Sequence, residues 1–541
     1  MLRAIAFLLS LSLLTLPALC DEGHHHDELT SLELGSVHFP VSCTAPVQKP
    51  FEQGVALLHS FAFETAEQAF RQILQEDPRC AMAHWGIAKS MWRWGTPDAA
   101  KRKQGQAEIR GGKALHPATP HERGYLDALG KFYAHPENDK YKRTEAFNKS
   151  MERLSRKYPE DHEAAAFYAW GLIAADDNDD THRNRKKAAA ILEELFKLEP
   201  NHPGVTHYLI HAYDVPGMAE QGLPAARRYA KIAPAAPHAL HMPSHIFAQL
   251  GLWQEDIDSN LASVAASRNA AATHMGDEGH QFHAMEFLMY AYLQCGREAD
   301  ARRLIDEVRS IPKMKSMYGS DSDPQVFALV SYGASYVLEL HHWEDAAELP
   351  LTPGTEFGDD SITYMARAIG EAHRGSPQQS RKNVQEIETI HEQAVAKKVP
   401  YADWVDQLRK EAEAWADHAE GKNEEALALL RGIADKQKEG TFGVAGDLPA
   451  REMLADMLLE MNRPSDALAE YEAQLKINPN RFDSLYGAGR AAEMAKQTDK
   501  AAAYFRQLVK VCSKSDSSRP ELAYASGFLA QRKLAVSALT P

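Results

Sequence analysis

Two H-x-x-x-H pairs, 34 residues apart, are followed by an H-x-x-E motif in the middle of this 541-residue chain. Side chains spaced i,i+4 or i,i+3 lie on the same face of a helix. Each motif can therefore present two donor groups to one point if its segment is helical. The candidate metal ligands are His207, His211, His241, His245, His283 and Glu286.

These residue types predict a transition-metal centre. Neutral imidazole nitrogen binds Zn, Cu, Fe and Ni at about 2.0–2.1 Å, so the three motifs supply enough donors without a thiolate. Carboxylates are scarce among them, which disfavours a carboxylate-bridged di-iron site. The metal is predicted to be Zn, Cu or Fe. One possible arrangement is a pair of three-histidine copper sites, one around each H-x-x-x-H pair. Further ligands, or groups that orient the ligands, are His238, His280 and Asp214.

The elements that position these residues belong to a 34-residue repeat. Near the C-terminus, Ala467 and Tyr471 recur as Ala501 and Phe505. Near the start, "FETAEQAFRQILQEDP" has the same alanine, aromatic and proline pattern. Both stretches resemble tetratricopeptide repeats. The resemblance implies an all-α fold, a solenoid of helical hairpins wound into a right-handed superhelix, in which each hairpin buries its apolar face against its neighbours.

The same resemblance implies where the histidines face. In such repeats, positions 2, 5, 9 and 12 of the first helix line the concave groove. His207 and His241 both take position 5, and His211 and His245 both take position 9. The two pairs should therefore stack on the concave wall of adjacent repeats, whose helices lie about 8–10 Å apart. Because Pro243 disrupts a helix that contains it, the second pair is predicted to straddle a helix start.

A narrower resemblance covers the segment 202–253. Its "HYLIHA" and "HALHMPSHIF" stretches are similar to a signature of bacterial exported tetratricopeptide-repeat proteins, and "HAMEFLMYAYLQ" is similar to the next repeat of that group. Glu286 stands where aspartate is expected, which retains the carboxylate. Membership implies the fold and a shared histidine site but names no substrate.

The first twenty residues predict export. Arg3, an apolar run and a small-residue end are typical of a secretory signal peptide, so we expect a periplasmic or secreted protein. A lipid anchor on Cys20 is the alternative, but Leu19 fits such a signal poorly. Among the remaining cysteines, Cys43 and Cys80 are the pair most suited to form a disulfide, which export permits.

Composition limits the partners. The net charge of −15 and the absence of a basic stripe exclude nucleic acid as a partner. No segment after the signal is apolar enough to span a membrane. The predicted organisation is a signal peptide (1–20), an extension (21–46), N-terminal repeats (47–200), histidine-bearing repeats (201–310), a helical region (311–400) and C-terminal repeats (401–541).

Two functions stay open at this point. The protein is a metal-dependent hydrolase or an oxygen-activating enzyme, in which a metal with an open position does the chemistry. Alternatively, it is an interaction scaffold that binds a peptide segment in the groove beside Tyr208, Tyr213 and Tyr290, with any metal structural or absent. Whether the chain is an enzyme is not decided by the sequence.

Overall fold

A computed structural model describes residues 33–93, 97–135, 137–175, 181–272, 279–313, 323–436 and 448–539. The predicted signal peptide and the anchor residue Cys20 lie outside these ranges. Within them the structure consists of helices and their connections, without a β-strand. The predicted all-α solenoid of helical hairpins is confirmed.

The N-terminal half is a succession of antiparallel helix pairs. Its helices are α1 (Gln48–His59), α2 (Phe63–Glu76), α3 (Ala81–Met91), α4 (Ala99–Ala114), α5 (Pro120–Tyr133), α6 (Lys140–Lys157), α7 (His162–Ala174) and α8 (Arg183–Leu198). The apolar positions of α2 recur at helical spacing, and they form a buried face that packs on α1 and α3.

The histidine-bearing segment contains seven helices. They are α9 (Pro203–Tyr213), α10 (Ala219–Ile232), α11 (Pro237–His241), α12 (Pro243–Gln249), α13 (Trp253–Ala272), α14 (His280–Gln294) and α15 (Glu298–Ser310). The chain continues through α16 (Pro324–Glu339), α17 (Trp343–Ala347), α18 (Asp360–His373), α19 (Pro377–Lys397), α20 (Ala402–Ala419) and α21 (Asn423–Ala434). The last repeats contain α22 (Ala450–Glu460), α23 (Pro464–Ile477), α24 (Phe482–Met494), α25 (Thr498–Val511) and α26 (Pro520–Leu539).

Small residues set the spacing within the hairpins. A Cβ added at Gly86 would lie 2.4 Å from the ring of Phe70, and one added at Gly487 would lie 2.2 Å from the ring of Tyr471. The aromatic side chain of one helix therefore packs directly on the backbone of the next. This packing explains why an aromatic residue recurs in these repeats and why a glycine faces it in the next helix.

The N-terminal and the C-terminal parts of the chain both contact the histidine-bearing segment. On one side, α1 packs against α9, and the N–H of Ser36 donates to the carbonyl of Asn201 (3.0 Å). On the other side, the indole N–H of Trp253 donates to the carbonyl of Asn480 (2.9 Å). The predicted disulfide between Cys43 and Cys80 is present and ties the N-terminal extension to the start of α3.

Candidate metal centre

Proline determines how the histidine helices start. Pro203 and Pro237 occupy the first turns of α9 and α11, where the missing N–H has no intrahelical partner to lose. Pro243 begins α12, one residue after α11 ends. His241 is therefore the last residue of α11 and His245 lies in α12, so the prediction that this pair straddles a helix start is confirmed.

The six histidines form two groups of three. The first histidine group contains His207, His211 and His238, and the second histidine group contains His241, His245 and His283. Within each group, one ring nitrogen of every member lies within 4.8 Å of the others. The helices α9, α11, α12 and α14 all contribute to this arrangement.

In the second histidine group, hydrogen bonds assign the protons of two rings. The Nδ1–H of His245 donates to Oδ2 of Asp214 (2.8 Å), and the Nδ1–H of His241 donates to Oδ1 of Asn260 (2.7 Å). The amide of Asn260 is itself oriented, because its nitrogen donates to the carbonyl of Asp256 (3.0 Å). In their neutral forms, both imidazoles therefore have a lone pair on Nε2.

Those two lone pairs face each other, since Nε2 of His241 lies 3.0 Å from Nε2 of His245. Without a cation between them, this arrangement is repulsive. Two nitrogens bound to one metal at about 2.0–2.1 Å lie about 3.3 Å apart at a tetrahedral angle, which is close to the observed separation. The pair is thus arranged as metal ligands are.

The first histidine group has a similar geometry. The Nδ1–H of His207 donates to the carbonyl of His59 (2.6 Å), which leaves the lone pair on Nε2. This Nε2 lies 3.0 Å from Nε2 of His238. Among the described residues, Nδ1 of His238 has no hydrogen-bond partner.

Burial keeps these rings neutral. It lowers the pKa of His207 to about 3, and it lowers the pKa of His211, His238 and His241 well below the ordinary value of 6.5. Neighbouring histidines lower each of these values further, because a second positive charge nearby is unfavourable. Neutral imidazole is the form that binds a metal.

The two histidine groups are adjacent. The ring centroids of His211 and His245 lie 6.2 Å apart, and those of His238 and His241 lie 6.1 Å apart. Phe61 stacks on His238 at 5.0 Å, and Phe287 packs against His241 at 4.8 Å. One phenylalanine thus packs against each group.

A third cluster contains Glu163, His59 and His202, all fully buried. Nδ1 of His202 accepts from the N–H of Val205 (3.1 Å), so its Nε2–H donates to the Glu163 carboxylate (2.8 Å). Nε2 of His59 lies 2.7 Å from the other oxygen of that carboxylate, and its Nδ1 lies 2.9 Å from the Tyr208 hydroxyl. These hydrogen bonds occupy the ring nitrogens and carboxylate oxygens with which the cluster could bind a metal. We interpret it as a support for His59, whose carbonyl orients His207.

The other predicted site residues have distinct positions. Asp214 orients His245, as a supporting residue would, and the ring of His280 packs at a tilt against that of His238, with centroids 4.9 Å apart. Oε2 of Glu286 lies 3.2 Å from Nδ1 of His283, and this carboxylate belongs to neither three-histidine group. The structure brings the six histidines together and leaves Glu286 beside them.

The groove positions are more buried than the repeat pattern predicts. His207 and His241 are 0% and 1% exposed, and Tyr208 and Tyr290 are also buried. Packing of α1 against α9 covers His207 and Tyr208, whereas Arg481 and Trp253 pack against Tyr290. The predicted peptide contacts at these two tyrosines are therefore not accessible.

Four residues around the histidine groups were not predicted from the sequence: His59, Glu163, His202 and Asn260. The carbonyl of His59 and the side chain of Asn260 orient His207 and His241, and the other two residues support His59. Only His202 had a local signal, because it directly precedes Pro203 and caps α9. The others lie on helices that reach the site through long-range packing.

The family model described as Tetratricopeptide repeat matches residues 452–518. The chain therefore contains tetratricopeptide repeats in this C-terminal segment. No curated protein sequence matches this repeat protein significantly. Among its described residues, no helix is both long enough and apolar enough to cross a membrane.

Several solved structures have a similar helical fold. The human IFIT1 dimer with m7Gppp-AAAA is 11% identical, with a TM-score of 0.38 and coverage of 90% of this repeat protein and 99% of that chain. Naa15/Naa10 bound to HypK-THB is 12% identical, with a TM-score of 0.22 and coverage of 91% and 92%. The P58(IPK) TPR domain is 11% identical, with a TM-score of 0.19 and coverage of 90% and 99%.

Proposed function

We propose that this protein is an exported oxygen-activating metalloenzyme in which each histidine group binds one copper ion. The observation that carries the proposal is the pair of Nε2 lone pairs of His241 and His245, which converge at 3.0 Å while both Nδ1–H groups are held by acceptors. A buried site of this kind is stabilised by a bound cation.

The donor set favours copper. Both groups consist of three histidines, and neither contains a thiolate or a carboxylate. Divalent copper binds nitrogen ligands more tightly than zinc or iron does. Two adjacent copper ions, once reduced to Cu(I) by an external reductant, would each supply one electron to dioxygen.

Two side chains and one backbone carbonyl orient the histidine rings that would bind copper. Asp214, Asn260 and the carbonyl of His59 hold the Nδ1–H groups, which determines the tautomers and ring orientations. Such supporting hydrogen bonds also raise the basicity of a ligand. Phe61 and Phe287 pack against rings of the two groups.

An interaction scaffold is the alternative, which the repeat fold supports. The burial of the groove positions in α9 and α11 argues against peptide binding at the histidines themselves. The N-terminal segment and the resemblance to exported bacterial proteins support export.

The test is elemental analysis of protein purified without chelators from its native compartment. We expect about two equivalents of copper per chain, and a mature chain that starts near Asp21 by mass spectrometry. The exposed His135→Ala variant is the matched control and should keep its metal. Protein without bound transition metal would contradict the proposal and favour the scaffold. Zinc in place of copper would favour a hydrolase.

Dioxygen uptake then tests the reaction. Copper-loaded protein with an added reductant should consume dioxygen in an oxygen electrode, whereas metal-free protein should not. Equal consumption by both forms would reject oxygen activation.

A further inference from the structure

A cavity of about 250 Å³ opens beside the second histidine group. It lies between the first turns of α14, the start of α16 and the loop that precedes α18. His283 lines it, and the ring of this residue lies 4.5 Å from that of His241. The side chain of His283 is 27% exposed, so a molecule in the cavity would contact it.

One wall of the cavity is aromatic. Phe282, Phe327 and Tyr332 line it, and the Tyr332 hydroxyl donates to the carbonyl of Phe282 (2.5 Å). This hydrogen bond joins α16 to α14 and uses the phenolic proton. The wall therefore presents ring surfaces, which suit a flat apolar group.

The polar side of the cavity is acidic. Its carboxylates are Glu286, Asp323, Glu356 and Asp359, and the described residues that line it include no lysine or arginine. Oδ1 of Asp323 caps α16, and Nζ of the exposed Lys313 lies 3.9 Å from Oδ2. Burial, together with the neighbouring charges of Glu356 and Asp360, raises the pKa of Asp359 to about 6. A bound cation would relieve this repulsion.

We propose that this cavity binds a small molecule that combines an aromatic ring with a protonated amine. The ring would pack on Phe282 and Phe327, and the ammonium would lie among the carboxylates. That such an amine is also the substrate class of the metal centre rests on the proposed function, since the cavity contacts that centre through His283.

The test is calorimetric binding to full-length, metal-free protein. The probes are 2-phenylethylammonium, the neutral 2-phenylethanol and the anionic 3-phenylpropionate, which share one ring and differ in charge. We expect the ammonium to bind at least tenfold more tightly than the alcohol and the carboxylate not to bind measurably. Equal affinities for the three probes, or binding only after copper loading, would overturn the proposal.

Variants locate the binding site. Asp323→Asn and Asp359→Asn keep the hydrogen-bond acceptors that the backbone uses, and each should weaken ammonium binding about fivefold without changing unfolding. Phe327→Ala should weaken all neutral and cationic probes. Glu344→Gln, exposed on α17, is the control and should bind normally. Unchanged affinity in all cavity variants would place the probe elsewhere and reject the site.

The two proposals fail separately. Amine binding to metal-free protein depends on the cavity alone, whereas copper content depends on the histidines alone. Ammonium binding without bound copper would leave an amine-binding protein, and copper without ammonium binding would leave a metalloenzyme with another substrate.

Discussion

Nε2 of His241 lies 3.0 Å from Nε2 of His245, although Asn260 and Asp214 hold the Nδ1–H of both rings. When both imidazoles are neutral, both of these nitrogens are acceptors, and a cation bound between them would relieve their repulsion. The metal content of the protein and the copper affinity of the second histidine group should both depend on this contact.

Each histidine group should hold its metal independently. We expect His207→Ala to remove the ion of the first group and His241→Ala that of the second, so each variant should retain about half of the copper. Elemental analysis measures this, with circular dichroism to verify folding. Full metal content in both variants would contradict the assignment.

Asp214 should control affinity at the second histidine group without binding the metal. Asp214→Asn removes the carboxylate that orients His245, and loss of such a partner weakens metal binding about 10–100-fold. Competition with a chromophoric copper chelator measures the affinity. The exposed Asp258→Asn on α13 is the control, and equal affinities of the two variants would reject a role for Asp214.

The metal-free protein should lose stability as the pH falls from about 6.5 towards 3. Burial lowers the pKa of His207 and His280 to about 3, so the unfolded chain binds protons over this range that the folded chain does not. Each such group reduces the free energy of unfolding by about 1.4 kcal/mol per pH unit below 6.5. Urea titrations at pH 7 and pH 5 measure the change.

The His280→Phe variant isolates one of these groups. His280 belongs to neither three-histidine group, so its replacement should reduce the pH dependence while leaving copper content unchanged. A pH dependence identical to that of the unaltered protein would show that His280 does not stay neutral when folded.

Arg481 should be essential for docking of the C-terminal repeats. Its side chain is fully buried and donates to Glu452 (2.7 Å) and to Glu339 (2.8 Å) on α16. Removing one partner of a buried ion pair costs about 3–5 kcal/mol. Arg481→Leu should therefore lower the free energy of unfolding by this amount in urea titrations. Arg463→Leu, which removes a half-exposed ion pair with Asp466, should change it by less than about 1 kcal/mol.

Much of the fold could be predicted because its signals are local. The recurrence of Ala467 and Tyr471 as Ala501 and Phe505 depends on one helical hairpin packing on the next. The pairing of Cys43 with Cys80 was also predicted correctly. Helical periodicity alone predicts that two donors spaced i,i+4, such as His207 and His211, lie on the same face of a helix.

Tertiary packing decided how these donors are used. The division into two groups of three depends on how α9, α11, α12 and α14 stack. The tautomer of His207 depends on the carbonyl of His59, 148 residues earlier. Helical periodicity determines which residues share a face, but contacts between distant helices determine burial, tautomer and proton affinity. The sequence by itself therefore determined which nitrogen donors are available, and only the folded solenoid decided their orientation and the cavity beside them.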